Sequence, residues 1–261
     1  MSNIIGFSHL VFTVNNSCSL SASSFLNEFY FEREYFELDH GTCRLPMIRE
    51  ITNSVSKISL YKSKLGDLPG IELLHVKSVV KRPLLNYGLI CQGRFTPSFA
   101  LPLKRQHFGG GEFYVDYYYD ELLNSLIAPA TNLFNNEKDG GCWMILSDFE
   151  KQKEFFLSIG GRKVLIDTEN IFAVKCRVIN KKLSSFVFVL IKDITNKNTH
   201  YNDDLGLSTL GWFARNIDET DIQDELLSSS DLFSISLNGN CFDAKFFYNN
   251  QNISHEILKV N

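Results

Sequence analysis

The sequence lacks most of the short signatures that would name a chemistry outright. Its six cysteines, Cys18, Cys43, Cys91, Cys142, Cys176 and Cys241, contain no Cys-x-x-C pair, which excludes a zinc knuckle and a dithiol redox motif. Isolated thiols fit a reducing compartment, so a cytoplasmic location is expected and the sequons at Asn15 and Asn252 read as chance matches. The longest purely apolar run, residues 186–191, falls far short of the ~20 residues of a membrane helix. The first six residues lack the charged and apolar regions of a secretory leader, so the expectation is a soluble protein without a membrane partner. The 26 basic and 30 acidic side chains give a net charge of -4 with no long basic run, which argues against a nucleic-acid partner. Gly109, Gly110 and Gly111 lack the Lys-Ser/Thr of a phosphate loop and the spacing of a dinucleotide turn; they read as a flexible turn or lid hinge, and no nucleotide cofactor is expected.

What is present is a chain of 261 residues, 44% of them hydrophobic, enough for one large domain or two moderate ones. Residues 6–14 alternate, with Leu10, Phe12 and Val14 on one side and His9, Val11 and Thr13 on the other, the period of a strand. A helix is expected over 21–31, with Phe25, Leu26 and Phe29 at helical spacing and Ser21 as its cap. Strands follow at 55–61 and 71–76, the second after the Pro69-Gly70 turn. The plan recurs at the end: a strand at 207–216, a helix at 217–228, and strands at 232–237, 242–248 and 255–260. Glu256 falls in the last segment where Glu72 falls in the first, which points to an internal repeat. A third copy runs through a strand at 142–148, a helix at 149–158 and strands at 162–166, 172–179 and 186–192. Residues 82–135, with strands at 87–91 and 112–119, read as a degenerate fourth copy.

A strand of the form Phe7-Ser-His-Leu-Val-Phe-Thr-Val14, a helix, and a late strand Gly70-Ile-Glu-Leu-Leu74 resemble the βαβββ module of the vicinal-oxygen-chelate superfamily, which includes glyoxalases, bleomycin-resistance proteins and extradiol dioxygenases. The resemblance implies an α+β fold of repeated βαβββ modules forming cupped mixed sheets, and a divalent metal held by first-strand and fourth-strand residues. Carried over by position, His9 takes the first-strand ligand place of the first module, Glu72 its fourth-strand place, and Glu256 the fourth-strand place of the last. The first strand of the third copy begins at Cys142 and that of the last passes through Thr209 and Leu210, with no His or Gln at the expected place.

Each candidate also has a plainer reading. His9 is either a metal ligand or a buried imidazole bonded to a neighbouring strand. Glu72, on one face with Leu74 and Val76, is a carboxylate among apolar groups, which requires a cation, an Arg or a proton nearby; it is both a metal ligand and the candidate catalytic base. Glu256 has the same setting, but an end strand invites a solvated or salt-bridged carboxylate. His107, near Glu112 and Asp116, either closes a metal site or decorates a loop; Tyr114, Tyr117, Tyr118 and Tyr119 either line a pocket or divide between core and water. Asp39, His40, Gly41, Thr42 and Cys43 fit turn chemistry.

Three functions remain open: a metal-dependent lyase or isomerase acting on a small oxygenated metabolite, a binding or sequestering protein of the same fold that turns nothing over and needs no metal, and a structural or pathway partner. A small-molecule ligand is the expected partner, and a homodimer is an allowed assembly. The expected architecture is two tandem halves, residues 1–136 and 137–261, each a cupped sheet, with Leu10, Phe12, Val14, Phe25 and Phe29 in the core of the first.

Overall fold

The computed structural model describes residues 4–16, 23–37, 55–76, 86–91, 103–132, 140–159, 162–182, 184–195, 204–217, 228–237, 240–248 and 253–260. The patch at 39–43, most of the expected helix at 217–228, Cys18 and Cys43 lie outside the described residues. The first module is β1 (Ile4–Asn15), α1 (Ser24–Phe29), β2 (Tyr30–Glu37), β3 (Val55–Ser63) and β4 (Gly70–Val76). The second is β5 (Tyr87–Ile90), β6 (Lys104–Phe108), β7 (Phe113–Asp120) and β8 (Ser125–Thr131). The third is β9 (Gly140–Leu146), α2 (Phe149–Ser158), β10 (Arg162–Asp167), β11 (Ile171–Arg177) and β12 (Ser185–Lys192). The last is β13 (Gly206–Ala214), β14 (Ser228–Ser229), β15 (Phe233–Leu237), β16 (Asn240–Tyr248) and β17 (Ser254–Lys259). Among the described residues no helix is long and apolar enough to cross a membrane.

Local chemistry sets these boundaries. Helix α1 is shorter than its apolar spacing predicts. Its cap is Ser23, not Ser21: the Ser23 hydroxyl accepts from Leu26 N at 3.1 Å. It also donates to Asp120 at 2.7 Å. The chain leaves the helix at Tyr30 because β2 pairs with β3, and strand pairing overrides the helical spacing there. The third module follows its sequence closely, with α2 spanning the expected 149–158.

In each module the first strand lies parallel to the last: β1 beside β4, β13 beside β17, β9 beside β12 and β5 beside β8. The first strands then pair antiparallel, β1 with β13 and β5 with β9. Sheet one runs β14-β16-β17-β13-β1-β4-β3-β2, with β15 on β16, and sheet two runs β10-β11-β12-β9-β5-β8-β7-β6. The expectation of one sheet for residues 1–136 and one for 137–261 is therefore corrected. The outer modules share a sheet and the two inner modules share the other. The reason lies in the central strand pairs, where a ring meets a glycine. A β-carbon on Gly211 would sit 2.2 Å from the His9 ring, and one on Gly88 would sit 2.2 Å from the Trp143 ring. Each first strand thus fits one partner, and no module keeps an open first-strand edge.

The sheets pack face to face. Phe7 stacks on Phe186 at 5.4 Å and meets Phe188 and Trp212 edge-on at 4.9 and 5.0 Å. Leu10, Phe12, Val14, Phe25 and Phe29 are all buried in this shared core, on the side the alternation assigned to them. Buried Cys142 and Cys176 line it as free thiols, and burial pushes the Cys176 thiol up to about 12, out of range for nucleophilic work.

A candidate metal and substrate site on the first sheet

On β1 the sequence Phe7-Ser8-His9-Leu10 sends Phe7 and Leu10 into the core, yet Ser8 and His9 both line a cavity on the other face. A bulge allows this, since the register slips between Phe7 and His9 and two residues oppose one on β13. The His9 ring lies in the space left by Gly211, and its Nδ1 is 2.9 Å from Ser8 Oγ. Sequence reading missed Gly211; its signal was a glycine inside an otherwise bulky strand.

Two carboxylates meet the other ring nitrogen. Glu72, opposite Val11 on β4, places Oε2 3.8 Å from His9 Nε2; Glu256, opposite Gly211 on β17, places Oε2 at 3.3 Å. Of the solvated and salt-bridged readings of Glu256, the structure overturns the first and bears out the second: the residue is paired with His9 and 7% exposed, because β16 and β13 flank β17 on both sides. Glu72 stands opposite Val11 of β1 and Leu60 of β3, and its side chain is 21% exposed toward the cavity.

The electrostatics follow. Burial raises Glu72 to about 7, and the Glu256 charge adds to the rise while His9 opposes it. Burial alone would lower His9, but Glu256 and Glu72 outweigh it and its pKa is raised. His9 Nε2 is buried without a hydrogen-bond partner, so the 3.3 Å approach of Glu256 lies off the ring nitrogen's own direction. Among the described residues no group of three or more His, Cys, Asp or Glu side chains is arranged as it stands to hold a metal ion. Donors bound to one ion at ~2.0–2.2 Å in adjacent positions stand about 3.0–3.5 Å apart; the 3.3 Å spacing of His9 and Glu256 falls in that range and the 3.8 Å spacing of His9 and Glu72 is wider. One imidazole nitrogen and two carboxylates form an N/O set appropriate to Mn, Fe, Co, Ni or Zn. The position related to His9 by the pseudo-twofold of the sheet is Thr209, opposite Val11, whose hydroxyl is 2.6 Å from Ser254 Oγ.

The cavity above this cluster measures about 360 Å³, the size of a small-metabolite site. The remaining candidates lie elsewhere. His107 is exposed on β6, 5.5 Å from Tyr114, and Asp116 is held below the usual carboxylate range by Arg105, which it binds at 2.7 Å. Glu112 accepts from Thr168 at 3.3 Å. The tyrosine row divides: Tyr118 is core, Tyr119 donates to Asn124 at 2.8 Å, and Tyr114 lies under Arg105 at 4.5 Å. Behind the site, neutral His255 accepts from Trp212 Nε1 at 3.2 Å and sets Nε2 2.9 Å from Gln152 Oε1, tying β17 to α2.

No family model and no curated protein matches the sequence. Solved structures do resemble the fold. A mutant of glyoxalase I from Zea mays matches with a TM-score of 0.58 at 12% identity, over 97% of this chain and 92% of that one. A glyoxalase I structure from the same plant gives 0.54 at 10%, over 97% and 92%. A candidate dioxygenase from Bacillus subtilis gives 0.56 at 10%, over 99% and 86%. At such identities the likeness concerns the fold.

Proposed function

Starting from a glyoxalase-type fold that spans nearly the whole chain, we propose that this protein is a metal-dependent enzyme of lyase or isomerase type acting on a small oxygenated metabolite. His9, Glu72 and Glu256 would hold the cation. The observation that carries this reading is the buried His9 Nε2, without a hydrogen-bond partner, with a Glu256 oxygen at 3.3 Å and a Glu72 oxygen at 3.8 Å, where His9 and Glu72 line a cavity. A divalent ion bound there would supply Lewis-acid stabilisation to neighbouring substrate oxygens. The chain supplies the rest. Glu72 lines the cavity, and its carboxylate is the group of this chain placed to move a proton to or from the substrate. Ser8 orients the imidazole through Nδ1, and Gly211 gives it room.

Calorimetric titration of metal-free protein with Mn, Fe, Co, Ni and Zn, followed by thermal melting, tests the reading. About one ion per chain and a rise in melting temperature are expected, since a ligand of the native state alone stabilises it. Uptake that is equally strong in His9→Ala would refute the assignment. Thr209, where symmetry offers a fourth donor position, favours the binding-protein alternative; tight capture of a small ligand by metal-free protein, with no ion taken up, would establish it.

A further inference from the structure

We propose that the hairpin joining β11 to β12 in the second sheet forms the specificity wall of the first sheet's cavity. On it, Lys181 acts with Lys62 of β3 to receive an anionic group, carboxylate or phosphate, at the end of the substrate remote from His9. The inference rests on the metal reading for which end of the ligand points inward.

Three observations place the wall. The hairpin is docked on the first sheet: Phe7 and Val178 form a parallel bridge, Ile179 N donates to Phe7 O at 2.9 Å, and a β-carbon on Gly6 would stand 2.7 Å from Arg177 O. It is braced internally, since Asn180 Oδ1 accepts from Lys182 N and Ser184 N at 3.2 Å each while Nδ2 donates to Ser184 Oγ at 2.6 Å. Lys181 Cβ would lie 3.6 Å from a β-carbon on Gly66, in the turn between β3 and β4, so hairpin and turn meet at the cavity.

Charge identifies the occupant. Among the described residues lining the cavity, Arg33, Lys62 and Lys181 are cationic and Glu72 is the one carboxylate. Among the described residues neither Lys62 nor Lys181 has an ion-pair partner. A ligand with one anionic end satisfies Lys62 and Lys181 and avoids Glu72 and Glu256, whereas a neutral ligand leaves the two lysines unused. The second sheet thus contributes to the cavity through Ile179, Asn180 and Lys181, although the cluster at its own centre is apolar.

The test uses Mn-loaded full-length protein and hydroxamates whose far end is a carboxylate, a phosphonate or a neutral carboxamide, with affinities read by calorimetry and metal content measured separately. The anionic probes should bind about tenfold tighter than the carboxamide, and the better of the two identifies the anion. Lys181→Ala and Lys62→Ala should erase that preference with metal content unchanged, and Lys181→Arg should keep it. Equal affinities in the parent, or a preference that survives both alanine variants, would overturn the proposal. Should the protein take up no metal, glutarate and inorganic phosphate titrated against glutaramide decide it: an anion preference lost in Lys181→Ala sustains the wall while the metal reading falls, and no preference ends both.

Discussion

At the centre of the first sheet an imidazole lies over a glycine, His9 against Gly211; at the centre of the second an indole does, Trp143 against Gly88. The surrounding registers match. Glu72 opposes Val11, two residues beyond His9, while Ile191 opposes Ile145, two beyond Trp143. Glu256 opposes Gly211, while Leu126 opposes Gly88. One backbone plan has therefore been filled twice. Two carboxylates and an imidazole make a polar floor in one sheet, and Ile191, Leu126 and Trp143 make an apolar cluster in the other. The difference teaches that the fold supplies a frame and that three side chains decide whether its centre is polar or apolar.

The largest effect that would break this contrast is one of stability. Trp143→Ala should cost about 3–5 kcal/mol by leaving a cavity in the second cluster, with metal affinity unchanged; an unaltered urea midpoint would show that this face is not packed as described. Next, His9→Ala should lower metal affinity by more than about a hundredfold, since even groups one layer behind a ligand are worth about 10–100-fold, while leaving the urea midpoint of the metal-free protein close to the parent's. The matched glycine changes sharpen the comparison further. Gly211→Ala should drive the imidazole from its place and weaken metal binding about tenfold, whereas Gly88→Ala, crowding Trp143, should cost about 1–3 kcal/mol without touching the metal. If both glycine variants bind metal alike, the seating of His9 is not what Gly211 does.

The smallest expected effect is a pH dependence from two histidines of the first sheet. Burial lowers His75 to about 4 and His255 to about 3. Both fold neutral, below the unfolded value of about 6.5. The unfolded chain therefore binds protons first, and the stability these residues contribute is complete above that value and lost as pH falls toward 4. His75→Gln should flatten the decline in urea midpoint between pH 7 and 5; an unchanged slope would reject it. Metal affinity should fall through the same range for a separate reason, because protons on Glu72 and His9 must leave before a cation binds.

Strand parity made much of this legible in the sequence. Period two placed Leu10, Phe12 and Val14 in the core and His9 opposite them, because side chains along a strand alternate whatever they pack against. The similar segments around Glu72 and Glu256 marked two fourth strands, since like sequences make like local structure. Tertiary structure alone decided which modules share a sheet, because pairing depends on rings and glycines that lie far apart in the chain. That choice brought Glu256 to His9 across 247 positions and buried a carboxylate that an end strand would have left in water. It also set the bulge that turns Ser8 and His9 to one side, a device that depends on the register with β13 and leaves no mark in the periodicity of β1.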